Sequence, residues 1–265
     1  LAVRSPEVLL FGLFVAVMVG AFALKTRATK LLGSDGLRFA PVIFAATFPF
    51  IYFAMFRPVA YNGMRHFLFV IPPLCVIAAL AFQRLLQAPS RVARLAFAAG
   101  LALAFIAQAR MLIELHPDEY TYFNTLVGGP RGARGRYELD YWGISLAEAT
   151  ERLVDQLDDA DALPEPGKPP LKVYVCGNVW SAATFFPESL TPVERVEDAD
   201  FQIAIDDFFC KQPAGSKRVL EVTRAGATLS YVDDLRRLRA KPSQAGLEQT
   251  RAPSVNPPQR RAGLR

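Results

Sequence analysis

The stretch VLLFGLFVAVMVGAFAL at residues 8–24 decides the fold class, because it holds 17 consecutive residues without a polar side chain. A helix of this length spans roughly 25 Å, at about 1.5 Å per residue, which is close to the thickness of the hydrocarbon core of a membrane. A core helix of a soluble protein keeps a polar stripe toward water, and this run has none. The run therefore predicts a membrane-spanning helix.

Three further apolar runs lie near residues 39–56, 67–86 and 92–113. The second and third runs contain prolines, which membrane helices tolerate where neighbouring groups satisfy the freed carbonyls. The last run is short, but Arg94 and Arg110 can reach the interface from its two ends. Residues 1–115 therefore predict a polytopic α-helical membrane region of about four transmembrane helices.

The distribution of basic residues predicts the orientation of this region. The connections 25–38 and 83–94 hold seven Lys and Arg residues, whereas the opposite side holds three, namely Arg4, Arg57 and Arg65. Loops rich in Lys and Arg stay in the cytoplasm. Both termini and the loop 57–66 should therefore face outward, and without the fourth crossing the C-terminal half would move to the cytoplasm.

Residues 116–235 alternate polar and apolar positions and predict a small, outward-facing α/β domain. Ser145-Leu-Ala-Glu148 matches a capping box at the start of a helix over 146–160. The other predicted elements are strands at 171–176 and 201–205, helical turns near 180–186, and a hairpin formed by 219–223 and 228–232.

The net charge of +5 comes from the tail 236–265, which holds eight Lys and Arg residues and one Glu. Its content of Pro, Gln, Ser and Arg predicts disorder. Such a tail can bind nucleic acid or anionic lipid by charge alone, but it lacks interleaved aromatic residues. We interpret it as a solvated tail and expect no nucleic-acid partner.

The three cysteines are too few for a disulfide scaffold or a structural zinc site. Cys176 and Cys210 would face an oxidising compartment in the predicted topology, so a disulfide is one alternative. Buried free thiols are the favoured alternative, because Cys176 lies inside an apolar strand. Two D-x-D strings, at 159–161 and 198–200, are interpreted as chance matches, and we expect neither a metal nor a cofactor.

Two groups of residues are candidates for binding a substrate. Arg65 precedes the third span, and a guanidinium at a membrane boundary can bind a phosphate bidentately; the alternative is that it anchors the helix at the interface. Glu138 and Asp140 lie beside Tyr141 and Trp142, a combination that suits sugar hydroxyls and a sugar face. The alternative is that these residues pack the α/β domain onto the membrane region.

The residues themselves resemble a known family. The string RHFLFVIPP at 65–73 resembles the entry into a late span of bacterial GT-C membrane glycosyltransferases of glycosyltransferase family 39. This family includes the protein O-mannosyltransferases and the aminoarabinose transferase of lipid A. HPDEYTYFN at 116–124, Gly128-Gly129 and GRYELDYWG at 135–143 resemble the stretch after the last span of uncharacterised bacterial members. The resemblance covers roughly residues 1–160.

The resemblance implies a sugar transfer from a polyprenyl-phosphate donor to an unknown glycan, lipid or protein acceptor, on the outer face of the bacterial inner membrane. Arg65 would bind the donor phosphate, with Tyr61, Asn62 and His66 lining the same vestibule. The family's catalytic carboxylate lies in a first external loop that has no counterpart here. The chain is thus expected to be the C-terminal portion of such an enzyme, and the catalytic residue stays unknown.

A second interpretation, from another functional class, is a non-catalytic membrane-anchored protein. Its extracytoplasmic α/β domain would bind or assemble with a component of the cell envelope. The sequence does not choose between mannose, glucose and aminoarabinose as the sugar.

Overall fold

The computed structural model describes residues 1–25, 38–59 and 64–240. Its first half holds four apolar helices where the sequence predicts them, namely α1 (Glu7–Lys25), α2 (Ala40–Phe56), α3 (Ile71–Leu86) and α4 (Arg91–Leu115). Residues 26–37, which supply most of the first basic loop used to predict the orientation, lie outside the described residues, as does the tail after 240.

Two helical segments, Arg65–Leu86 and Arg91–Leu115, are long and apolar enough to cross a membrane. They contain 22 and 25 residues, whereas α1 and α2 are shorter apolar helices. Along α4 the side chains of Leu95, Leu103 and Ile106 are 60–67% exposed. Their exposure distinguishes α4 from the core helix of a soluble protein, whose large apolar side chains are buried.

The prolines of the third predicted span do not kink a helix. Residues Arg65–Val70 form a 3-10 helix, and α3 then begins at Ile71, which places Pro72 and Pro73 in its first turn. The first turn of a helix has no internal partner for its N–H groups, so proline costs nothing there. Pro49, in contrast, lies inside α2 as the sequence predicts.

Helix α1 packs closely against α3 at Gly12. A Cβ atom added to Gly12 would lie 2.5 Å from the Cβ of Ala78 and 2.8 Å from the ring of Phe82. Small residues at a crossing let two helix backbones approach, which is the usual way in which apolar helices associate in lipid.

The second half forms a five-stranded sheet flanked by helices. After the short helix α5 (Gly129–Ala133) and the long helix α6 (Ser145–Asp159), the elements are β1 (Leu171–Cys176), α7 (Val179–Ala183), β2 (Leu190–Val193), β3 (Phe201–Ile205), β4 (Lys217–Arg224), β5 (Ala227–Asp234) and α8 (Arg236–Ala240). The strand order is β2-β1-β3-β5-β4, and β1 runs parallel to both of its neighbours. Strand β5 is antiparallel to β3 and β4.

The sequence predicts β1, β3 and the hairpin of β4 and β5 correctly. The hairpin turns at Ala225 and Gly226, whose φ angles are 45° and 75°, as a tight two-residue turn between twisted strands requires. Strand β2 is not predicted, because it is short and contains Pro192. Proline is confined to edge strands, and β2 is an edge strand. Helix α8 occupies the first residues of the predicted tail.

The core of the α/β domain lies between α6 and the sheet. Fully buried side chains of α6 face buried side chains of the three central strands; they include Leu146, Leu153, Val173, Phe201, Ile203 and Val232. This amphipathic packing is what the spacing of apolar residues in α6 predicts.

The carboxyl ends of β1 and β3 face the ends of the apolar helices. The turn of the β4–β5 hairpin lies at this same edge, and the Nε of Arg224 donates a hydrogen bond of 3.1 Å to the carbonyl of His116, directly after α4. Phe123, from the segment that follows α4, packs with Ala227 and Leu229 of β5 in a small second core. We call this side of the sheet the boundary edge.

A disulfide joins Cys176, at the end of β1, to Cys210, in the loop after β3, with the two Cα atoms 5.7 Å apart. The favoured alternative of two free thiols is therefore wrong. The apolar strand brings Cys176 into contact with the neighbouring loop instead of burying it alone. Cys75 is a free, exposed cysteine of α3.

Replacing both bonded cysteines with serine should lower the free energy of unfolding of the α/β domain. The disulfide closes a loop with a sequence separation of 34. The loss of its constraint on the unfolded chain corresponds to about 3–4 kcal/mol. Urea unfolding of the full chain in detergent measures the effect, with Cys75→Ser as control. Equal stability of Cys176→Ser/Cys210→Ser and the control would contradict this expectation.

Candidate functional site at the membrane boundary

The structure brings together two candidate residues that are far apart in the sequence. The guanidinium carbon of Arg65 lies 5.3 Å from the centre of the Trp142 ring. Arg65 begins the apolar segment Arg65–Leu86, and Trp142 lies just before α6 at the boundary edge. A cation above an aromatic face is attracted by the ring quadrupole. The contact joins the apolar helices to the α/β domain.

An apolar groove is lined by His66 and Phe67, the two residues that follow Arg65 in the chain. Its volume is about 300 Å³, and most of its walls are aromatic. The lining residues come from α2, the residues after it and the 3-10 helix, and they include Phe48, Tyr52, Phe53, Phe67 and Phe69. We call it the aromatic groove. Its shape and its lining suit an apolar chain.

A second, more polar cleft lies on the other side of Phe67. Its volume is about 330 Å³, and its lining includes Arg4, Phe123, Tyr137 and Glu138. Phe67 contributes to both cavities. Glu138 is half-buried, and it is the single carboxylate among the residues that line this cleft. We call this cavity the boundary cleft. It holds an acid, Glu138, and a cation, Arg4, next to the aromatic groove.

Asp140 has a structural role at the start of α6. Its carboxylate accepts hydrogen bonds from the backbone N–H groups of Ile144 and Ser145, both at 3.1 Å, from the Ser145 hydroxyl at 2.5 Å and from the Tyr120 hydroxyl. These donors surround a side chain that is only 4% exposed. Burial raises the pKa of Asp140, and the hydrogen bonds oppose that rise. Asp140 is therefore a helix cap.

The predicted capping box of α6 is wrong for this reason. The Ser145 hydroxyl donates to Asp140, and Ser145 lies inside the first turn of the helix. Glu148 turns instead toward Arg152 and Arg224, with which it forms ion pairs. A carboxylate five residues upstream thus supplies the cap that the local pattern assigns to serine.

Arg4 is a site residue that the sequence analysis treats only as a charge. Its Nη1 donates to the carbonyl of Tyr120 at 2.8 Å, and its Nη2 donates to the carbonyl of Glu138. The guanidinium carbon lies 4.2 Å from the centre of the Phe123 ring and 5.4 Å from that of Tyr141. Arg4 therefore fixes the backbone of both segments that form the cleft.

Tyr141 packs among the aromatic residues of the boundary edge. Its ring meets that of Tyr120 edge-on at 5.3 Å between centres, and it lies 5.7 Å from that of Trp142. Tyr61 and Asn62, the remaining candidates, lie outside the described residues.

An ion cluster around Arg224 includes the buried carboxylate of Asp118. The Nε of Arg224 is 3.2 Å from Oδ2 of Asp118, a side chain that is 1% exposed, and its Nη2 bonds Glu148. Burial raises the pKa of Asp118 to about 6, against the opposing charge of Arg224. Arg224 thereby ties the segment after α4 to both α6 and β4.

Within the described residues, no group of three or more His, Cys, Asp or Glu side chains is placed to hold a metal ion. The charged groups that the structure places at the site are the guanidinium groups of Arg65 and Arg4 and the carboxylate of Glu138, next to aromatic rings. A guanidinium beside an apolar groove can bind an amphiphile that carries an anionic group.

Comparison of the chain with protein-family models, with curated proteins and with solved structures finds no match.

Replacing Asp140 with alanine should destabilise the α/β domain by about 2 kcal/mol, because two backbone N–H groups and two hydroxyls lose their acceptor. Glu138→Gln, two residues away, should change the unfolding free energy by less than about 0.5 kcal/mol. Urea unfolding of the two variants checks the difference. Similar losses in both would mean that Asp140 is not the cap on which α6 depends.

Proposed function

We propose that the chain belongs to a polytopic glycosyltransferase of the bacterial inner membrane. It would move a sugar from a polyprenyl-phosphate donor to an acceptor on the outer face. The observation that carries the proposal is the aromatic groove, which is lined by His66, the residue directly after Arg65 in the chain. A polyprenyl phosphate combines a long apolar chain with an anion. The aromatic groove would hold the chain, and the guanidinium of Arg65 would bind the anion.

The proposal includes four membrane crossings, with α1 and α2 as the shorter pair. Helices α1, α2 and α4 all contact α3, so the four helices form one bundle. Shorter helices can span where the bilayer thins or where flanking residues reach the interface. Their exposed apolar side chains, such as Phe14, Met18 and Phe44, favour surroundings of lipid over water.

In the proposed topology the α/β domain lies outside the cytoplasm. The disulfide between Cys176 and Cys210 supports this side, because such bonds persist in oxidising compartments and are rare in the cytosol. Arg84, Arg91 and Arg94 supply the basic residues of the connection between α3 and α4, which would be cytoplasmic.

The acceptor would enter the boundary cleft. Glu138 and Arg4 line this cleft, and Phe67 separates it from the aromatic groove, so an acceptor and a donor head would meet across one side chain. A half-buried carboxylate there can orient a sugar hydroxyl by accepting its hydrogen bond. The acceptor is a glycan, a lipid or a protein.

The alternative of a non-catalytic binding or assembly protein is favoured by one observation. Trp180 and Phe208 are 74% and 75% exposed on the α/β domain, and large exposed aromatic residues are typical of surfaces that bind other molecules. Sugar transfer from a polyprenyl-phosphate donor by the full-length protein would decide for the transferase. Envelope binding without transfer would decide for the alternative.

The test of the donor site is the binding of undecaprenyl phosphate to the purified protein in detergent. Arg65→Ala should weaken binding about 10–100-fold, since hydrogen bonds to a charged group contribute about 1.5–3 kcal/mol. Arg84→Ala is the matched control, because Arg84 lies near the other end of the same segment. Titration calorimetry measures both affinities. Equal affinity of Arg65→Ala and Arg84→Ala would contradict the proposed role of Arg65.

A further inference from the structure

The boundary edge carries a group of exposed aromatic side chains that the proposed function does not use. They come from three places in the chain: Trp142 lies before α6, Trp180 lies in the short helix α7 after β1, and Phe208 and Phe209 follow β3. Trp180 and Phe208 are three-quarters exposed, and Phe209 and Trp142 are about half exposed. We call these four residues the aromatic rim.

The topology of the sheet places the rim on one side of the domain. Strands β1 and β3 are parallel neighbours, so the loops that follow them leave from the same edge. The disulfide from Cys176 to Cys210 holds the loop with Phe208 against the end of β1. Gly143 and Gly177 both approach Ile205 at the end of β3, which brings the loop of Trp142 to this edge as well.

The rim is continuous with the residues at the ends of the apolar helices. Trp142 contacts Arg65, the first residue of the segment Arg65–Leu86. Arg134 forms an ion pair of 2.5 Å with Asp206, two residues before Phe208, and Arg224 reaches the carbonyl of His116. The edge that bears the rim therefore lies at the level where the helices begin and end.

We infer that the aromatic rim inserts into the membrane–water interface on the outer face of the inner membrane. Its partner there is the headgroup and upper acyl region of the lipid bilayer. The inference rests on the membrane insertion of the proposed function. Tryptophan and phenylalanine rings at this depth place apolar area in lipid, and the indole N–H remains near the headgroups. In water the same rim would be an exposed apolar patch.

The charge of the rim favours an uncharged lipid surface. Asp206 and Asp207 precede Phe208, and Lys211 is the only charged residue between Phe209 and the start of β4, so the loop carries more negative than positive charge and does not favour anionic headgroups. Insertion should therefore depend on the apolar rings and change little with added salt, in contrast to binding by a basic patch.

The two tryptophans of the chain make the inference testable by fluorescence. In Trp142→Phe, the remaining emission comes from Trp180 alone. The full chain is reconstituted in phosphatidylcholine vesicles whose acyl chains carry bromine close to the headgroup, and in unbrominated vesicles. Trp180 emission should fall by about half in brominated lipid, because interfacial side chains reach a depth of about 5–10 Å.

Two reporters control the experiment, both made in the background Trp142→Phe/Trp180→Phe. Phe69→Trp places the probe on an exposed position of the segment Arg65–Leu86 and reports membrane insertion itself. Lys168→Trp places it near the start of β1, at the opposite edge of the sheet. We expect bromine to quench Phe69→Trp, whereas aqueous acrylamide should quench Lys168→Trp.

The outcomes distinguish a failure of the inference about the rim from a failure of the proposed membrane insertion. Quenching of Trp180 by bromolipid, reduced by Phe208→Ser/Phe209→Ser, supports the inference; both phenylalanines are exposed, so this variant should fold. If Phe69→Trp is quenched by bromolipid and Trp180 only by acrylamide, the rim faces water and the inference is overturned while membrane insertion stands. Shielding of Trp180 from both quenchers would mean that protein covers the rim, which also overturns it. Loss of quenching at Phe69→Trp would overturn the membrane insertion as well.

Discussion

The orientation of the α/β domain depends on one guanidinium, that of Arg224, whose side chain is mostly covered. Arg224 bonds the carbonyl of His116, pairs with Asp118 and reaches Glu148, so it joins the end of α4 to β4 and α6. The carboxylate of Asp118 is buried, and removal of the partner of a buried charge destabilises a protein strongly. The boundary edge of the sheet consequently faces the helix ends, and the contact between Trp142 and Arg65 follows from that placement.

This orientation places the loops at the carboxyl ends of the parallel strands next to the apolar helices. In open sheets with parallel strands, ligands bind outside the carboxyl ends of those strands. Here that edge is turned toward the apolar helices, and the boundary cleft is lined by Phe123, which packs against β5. The cleft shares Phe67 with the aromatic groove. An amphiphile is the ligand class that suits both its apolar and its charged surroundings. The proposed donor and the proposed lipid contact of the rim are two consequences of this geometry.

Much of the fold could be predicted from local patterns, because apolar runs and strand alternation report burial directly. The site could be predicted only in part. The sequence indicates Arg65 and Trp142 as separate candidates, and their contact depends on tertiary packing. It does not indicate that the carboxylate of Asp140 is occupied by donors from residues 120, 144 and 145. The role of Arg4 could not be predicted, because its partners are backbone carbonyls more than a hundred residues away in the sequence and no local motif indicates them.

In the proposed topology the chain crosses the membrane and carries its α/β domain on the outer side. Labelling of single cysteines in intact bacterial cells, with a maleimide that does not cross membranes, tests it directly. In a Cys75→Ser background, Lys168→Cys lies in the α/β domain, and Gln87→Cys lies in the connection after α3. We predict that Lys168→Cys reacts in intact cells and Gln87→Cys only after the membrane is opened. The reverse pattern, or equal reaction at both positions, would contradict the account.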